Sequence, residues 1–224
     1  MAPTAPRRIG SALPYLLLLI FTFAALGLSN LALGSLAISH SHAPFGLPLW
    51  IMDGFLTVCW WLYGGAWVVL LVCTVAAITH HWRSMRRELN LLGALLGFSL
   101  ILNLIDVNLH LSGGNGKGLV LLYEGIIFYL SVQSLWAFYY WSIDEASSLG
   151  RAFWWVPPPS YTGSSQDWQP RFLDYFYLAA VVSFSFYPSV EPIKSTSKLL
   201  ILAQLFVVLN INVVLISRAV GLLS

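Results

Sequence analysis

The chain has 224 residues and a formal net charge of +2, with only 9% charged side chains against 58% apolar ones. A soluble domain of this length carries about a quarter charged residues, so this chain cannot cover a water-facing surface with charge. The small positive balance makes no case for nucleic acid, and the basic residues stand between apolar runs, where they read as topology signals.

Residues 1–12, with Arg7 and Arg8, read as a cytoplasmic N-terminus. The apolar run 13–38 is far longer than the roughly 7–15-residue core of a signal peptide and predicts a retained membrane helix. Its second half is rich in small residues (Gly27, Ser29, Ala32, Gly34, Ser35), which admit a close neighbour. A link without Lys or Arg, 39–46, and an interfacial stretch, 47–53, lead to a second helix, 54–79, carrying Trp60, Trp61 and Trp67. Cys59 and Cys73 share that helix about 21 Å apart at 1.5 Å per residue, so they read as packing residues and not as a disulfide. Residues 80–88 hold the strongest basic cluster: Arg83, Arg86 and Arg87. A third helix, 89–111, contains the small-residue pair Gly93 and Gly97. After the Gly-rich turn 112–118, a fourth helix spans 119–141. Its second end is crowded by Trp136, Phe138, Tyr139, Tyr140 and Trp141, the pattern of an interfacial belt. Residues 13–141 are thus expected to be a four-helix transmembrane bundle.

Residues 142–170 are the only long polar stretch. Pro157, Pro158 and Pro159 forbid a helix through its middle, and Trp154, Trp155 and Trp168 place it on the membrane surface. Within 171–224, a short apolar segment, 172–188, precedes a polar link and a last helix, 198–222. The fold class expected is all-α: a polytopic transmembrane helical bundle of five spans plus a short re-entrant or sixth crossing segment. Positive-inside bias puts the N-terminus and 80–88 in the cytoplasm, 112–118 outside and 142–170 inside, in a cell (inner) membrane. A sixth crossing by 172–188 returns Arg218 to the cytoplasm, and on that ground crossing is preferred to re-entry.

Asp106 and His110 lie four apart on one helix face, and Glu124 starts the next helix beyond a short turn. Charged groups inside a membrane face the bundle interior, so these three are a candidate intramembrane site for a proton relay or a cation. Asn103 and Asn108 are alternative partners for Asp106. The pairs His40/His42 and His80/His81 lack further ligands, so no metal site is expected. Gly113–Gly118 with Lys117 lacks the Ser or Thr of a phosphate loop. No catalytic set or cofactor motif is visible, and an enzyme is not expected.

The last residues run Pro170-Arg171-Phe172-Leu173-Asp174-Tyr175-Phe176-Tyr177, an apolar stretch to Tyr187, then Pro188-Ser189-Val190-Glu191-Pro192 and a helix containing Gln204, Asn210, Asn212 and Arg218. This order resembles the pore module of two-helix potassium channels. There a pore helix opening on D-x-x-Y-F leads into a filter, an exit proline and the inner helix. Asp174 and Tyr177 match the pore-helix start, with Leu178 in place of Phe, and Pro192 matches the exit proline to within one position. The filter-like loop would be Ser185, Phe186, Tyr187, Pro188 and Ser189, followed by Glu191. Tyr187 and Ser189 stand where the filter glycines belong. Glycine is required there because alternate residues adopt backbone conformations unfavourable to a side chain, so standard potassium selectivity is not expected. The ending is also similar to that of uncharacterised bacterial inner-membrane proteins with an F-x-P-[ST]-x-x-P signature, matched by Phe186–Pro192. The resemblance implies a channel-like protein working as a homo-oligomer, because one hairpin cannot enclose a pore. The alternatives are a small proton- or cation-coupled transporter using Asp106, His110 and Glu124, and a membrane scaffold docking through 142–170. The lipid bilayer is the one partner common to all three.

Overall fold

The computed structural model describes residues 12–38, 49–78, 85–112, 118–146, 152–156, 163, 168–186 and 190–223. Six helices account for almost all of them: α1 (Ala12–Ile38), α2 (Leu49–Ile78), α3 (Met85–Ser112), α4 (Gly118–Ala146), α5 (Phe172–Ser185) and α6 (Ser195–Leu223). The only strands among these residues are two-residue pieces, β1 (Phe153–Trp154) and β2 (Glu191–Pro192), paired antiparallel with Phe153 opposite Pro192. The described residues are therefore mostly helical. Two stretches, Arg87–Ile105 and Ser195–Val213, are long and apolar enough to cross a membrane, while Pro14–Leu28 and Trp60–Val75 are shorter apolar stretches.

The helices outrun the apolar segments that announce them. The second begins at Leu49 and so takes in 49–53; the third begins at Met85; the fourth continues to Ala146. Hydropathy ends where polar side chains begin, whereas the backbone hydrogen-bond ladder runs on until something breaks it. The five long helices have 27–30 residues each, about 40–45 Å at 1.5 Å per residue.

Helix α4 is the axis. Its face from Ser131 to Phe138, with Tyr140 and Trp141, is buried among α1, α3, α5 and α6. The aromatics expected to form an outward belt are instead core. Trp136 donates from Nε1 to the Leu200 carbonyl of α6 (3.0 Å), and Trp141 stacks on Tyr15 of α1 with ring centroids 4.2 Å apart. Outward aromatics include Trp60, Trp61 and Trp67 of α2, Phe184 of α5 and Phe206 of α6.

The Gly93/Gly97 pair of α3 does permit a close approach, by rings and not by another backbone. A Cβ added at Gly93 would lie 2.4 Å from the Phe138 ring, and one at Gly97 2.1 Å from the Tyr139 hydroxyl. That hydroxyl donates to the Gly93 carbonyl at 2.7 Å. With Ser142 donating to Asn90 (2.7 Å), these contacts fix α3 and α4 as antiparallel neighbours. Gly27 of α1 makes the same kind of room for Tyr63 of α2, whose hydroxyl reaches the Phe23 carbonyl and whose ring stacks on Phe23.

Candidate functional site

Helix α5 runs antiparallel to α4. Its first turn lies against the end of α4, where the Tyr175 hydroxyl donates to Asp144 (2.7 Å), and its last turn reaches Tyr129, whose ring is 5.3 Å from Phe184. At 1.5 Å per residue Tyr129 is about 22 Å along α4 from Asp144, roughly halfway down a helix of about 43 Å. The chain then returns. By Ile193 its N–H donates to the Ala152 carbonyl (2.9 Å), beside the end of α4. Helix α6 starts from that same end and runs the full length, its Leu215 meeting Gly125 near the far end of α4. Segment 172–186 thus enters and leaves by one end of the bundle. This is the path of a short hairpin and not of a helix running the length of the bundle. The physical reason is that fourteen helical residues span about 21 Å, too short to traverse the bundle.

Buried Asp144 ties the hairpin at its base. Its carboxylate accepts from the Ala152 N–H (2.7 Å), Trp155 Nε1 (3.3 Å) and the Tyr175 hydroxyl (2.7 Å). The Ala152 carbonyl in turn accepts from Ile193 N–H and from Ser197 Oγ (3.0 Å), so one residue pair joins α4, β1, α5 and the start of α6. Buried charge is tolerated where it is hydrogen-bonded, and here three neutral donors do this. Tyr15 covers the clasp, edge-on to Phe172 and Tyr175. Sequence reading missed Asp144 because it follows the apolar run and was assigned to the polar loop; the signal available was an acidic pair, Asp144-Glu145, one turn after a Trp/Tyr cluster.

Halfway down, Gln204 of α6 holds α5 to α4. Its Oε1 accepts from the Tyr140 hydroxyl, and its Nε2 donates to the Ala179 carbonyl and to Ser183 Oγ, both at 2.7 Å. Tyr129 shares hydrogen bonds with Gln133 and Ser183. A polar string therefore runs inside the α4–α5–α6 contact, while the outward faces of α5 (Leu173, Tyr177, Phe184) and α6 (Leu202, Phe206, Leu209) are apolar. Beside the tip of α5 lies a cavity of about 360 Å³ lined by Gly125, Ile126, Tyr129, Leu130, Ser183, Phe184, Asn212 and Leu215.

Asp174 occupies the third position of α5, and its carboxylate accepts from the Arg171 N–H, closing half of a capping box. Tyr177 faces outward. Ser185 ends the helix, donating to the Val181 carbonyl (2.6 Å), and Phe186 caps it in the left-handed region with φ of 55°. Tyr187, Pro188 and Ser189 lie outside the described residues, and Glu191 is exposed in β2. Asp106, His110 and Glu124 lie on α3 and α4, and their side chains are outside the described part. Continued along both helices, the Asn90–Ser142 and Gly93–Tyr139 register sets Glu124 level with Asn108, between Asp106 and His110. Of the amides suggested as partners for Asp106, Asn103 donates to Ser99, and Asn108 to the Leu104 carbonyl and to Asn210 of α6 (2.9 Å). Cys73 is a free, buried thiol. No group of three metal-ligating side chains occurs among the described residues.

The bundle has a charged end. Helices α1, α3, α5 and α6 begin there and α4 finishes there. Arg7 and Arg8 precede α1; Arg83, Arg86 and Arg87 surround the start of α3; Arg151, Arg171, Lys194 and Lys198 flank α5 and the start of α6. Lys117 and Arg218, the other two of the 11 Lys and Arg, stand before α4 and late in α6.

The described residues thus form a mostly helical bundle with a hairpin that reaches about halfway along α4. No family model, no curated protein and no solved structure matches the chain.

Proposed function

We propose that the chain is a multi-pass integral membrane protein of five crossings, with a channel-like re-entrant hairpin that works in a homo-oligomer. The observation that carries this reading is the path of α5: in by one end, stopped halfway, out by the same end, then a full-length α6. Such a segment in lipid must be shielded by protein, and the Asp144 clasp and the Gln204 network supply that shielding. The outer surface supports the membrane assignment, with Trp61 78% exposed on α2 and Phe206 73% exposed within Ser195–Val213, a stretch long and apolar enough to cross. The clustering of basic residues at one end supports a cytoplasmic N-terminus. The hairpin then enters from the cytoplasm, and the C-terminus lies outside. This accommodates Arg171, Lys194 and Lys198 on the positive side and leaves Lys117 and Arg218 as the basic residues on the outer side.

Conduction by a carbonyl filter is not part of the proposal, because side chains replace the filter glycines at 187 and 189. Purified protein in liposomes is expected to give a cation leak that does not discriminate potassium from sodium, and more than one copy per particle by single-molecule photobleaching. Strictly monomeric protein with no leak contradicts the channel-like reading.

A further inference from the structure

We propose that the cavity between α4, α5 and α6 binds a small, neutral lipophilic molecule bearing a carbonyl oxygen, drawn from the bilayer core. The inference rests on the membrane reading, because depth decides what can arrive. The cavity runs beside Gly125–Leu130, in the half of α4 nearer its first residue, a depth that on the membrane reading lies in hydrocarbon. Its volume of about 360 Å³ falls at the small end of ligand pockets, roughly 300–1,000 Å³.

The wall is apolar except for Tyr129, Ser183 and Asn212. Tyr129 and Ser183 are held within the polar string, and Ser183 also donates to the Ala179 carbonyl (2.9 Å). Asn212 differs from the other amides of this region. Asn103, Asn108 and Gln204 all have partners, whereas the Asn212 carboxamide makes no hydrogen bond to a described residue. An amide facing an apolar space without a partner is costly. Its two N–H donors require an acceptor, which an acyl chain does not offer. None of the described lining residues is cationic, so none of them would compensate a carboxylate or phosphate there. A neutral carbonyl on an apolar body meets both conditions.

The test uses the full chain in liposomes and a benzophenone carrying a decyl chain, whose ketone is at once the acceptor and the photoreactive group. Crosslinks mapped by mass spectrometry are expected to saturate and to concentrate on peptides containing Ile126–Leu130, Ser183–Phe184 and Asn212–Leu215. Asn212→Leu is expected to lower the saturable labelling at least fivefold, and Ile126→Trp to remove it by filling the mouth. A decyl diazirine without a carbonyl is expected to label the wild type and Asn212→Leu alike. Labelling that does not saturate, that spreads evenly over outward faces, or that is unchanged by Asn212→Leu overturns the proposal. Failure of the chain to insert into the liposomes is scored separately and counts against the membrane reading instead.

Discussion

Replacing Asp144 by alanine is expected to loosen the hairpin at its base. The variant strands three donors: the Ala152 N–H, Trp155 Nε1 and the Tyr175 hydroxyl. Ala152 and Tyr175 are buried and Trp155 nearly so, leaving little water to replace the lost acceptor. Each unsatisfied buried donor costs about 1–3 kcal/mol, and partial relaxation of the Trp155 contact brings the total to roughly 3–5 kcal/mol. Asp144→Asn keeps one acceptor oxygen but turns an NH₂ toward a donor, so roughly half of that loss is expected. Tyr175→Phe removes one donor and its partner bond together and should cost about 1 kcal/mol. Equilibrium unfolding in mixed micelles gives the totals, and hydrogen exchange at Ala152 and Ile193 gives the local effect. Both amides belong to the clasp and should lose protection together. An alanine variant within about 0.5 kcal/mol of wild type, the ordinary range for surface changes, refutes the reasoning.

Gly97→Ala should be destabilising by about 1–3 kcal/mol, because the new methyl meets the Tyr139 hydroxyl. Tyr139→Phe deletes that hydroxyl, so a double-mutant cycle should show the pair to be strongly non-additive; additivity would place the strain elsewhere. Gln204→Leu leaves the Tyr140 hydroxyl and the Ala179 carbonyl without this shared partner and should cost about 2–4 kcal/mol in the same unfolding assay. Phe186→Gly relieves a left-handed backbone position and, since the ring is about half exposed, should be neutral or stabilising by up to about 1 kcal/mol. A clear loss of stability there would mean that the ring has a packing role.

Long apolar runs made α1 to α4 and α6 legible in the sequence, because burial in protein and contact with lipid select the same side chains. What periodicity could not supply was which face is which. Trp136, Phe138 and Trp141 read as a belt yet lie in the core, since an aromatic is equally suited to a membrane interface and to a helix contact. The packing role of Gly93 and Gly97 was legible, but not that Phe138 and Tyr139 would fill the space. The short length of α5 was visible too; its return to the end it left depends on Ala152 meeting Ile193, a contact between distant residues that no local pattern encodes. Asp144 escaped for the same reason, because its three donors come from residues 8, 11 and 31 positions away.

The central claim, a hairpin that enters and leaves by one side, is tested most directly by labelling single cysteines in intact cells. Gly163→Cys and Lys194→Cys are placed separately in a Cys59→Ser, Cys73→Ser background and treated with an impermeant thiol reagent before and after permeabilisation. The account predicts that both positions are protected in intact cells and both react once the membrane is opened. Labelling of Lys194→Cys alone from outside would mean that α5 crosses the bilayer, and would contradict the account.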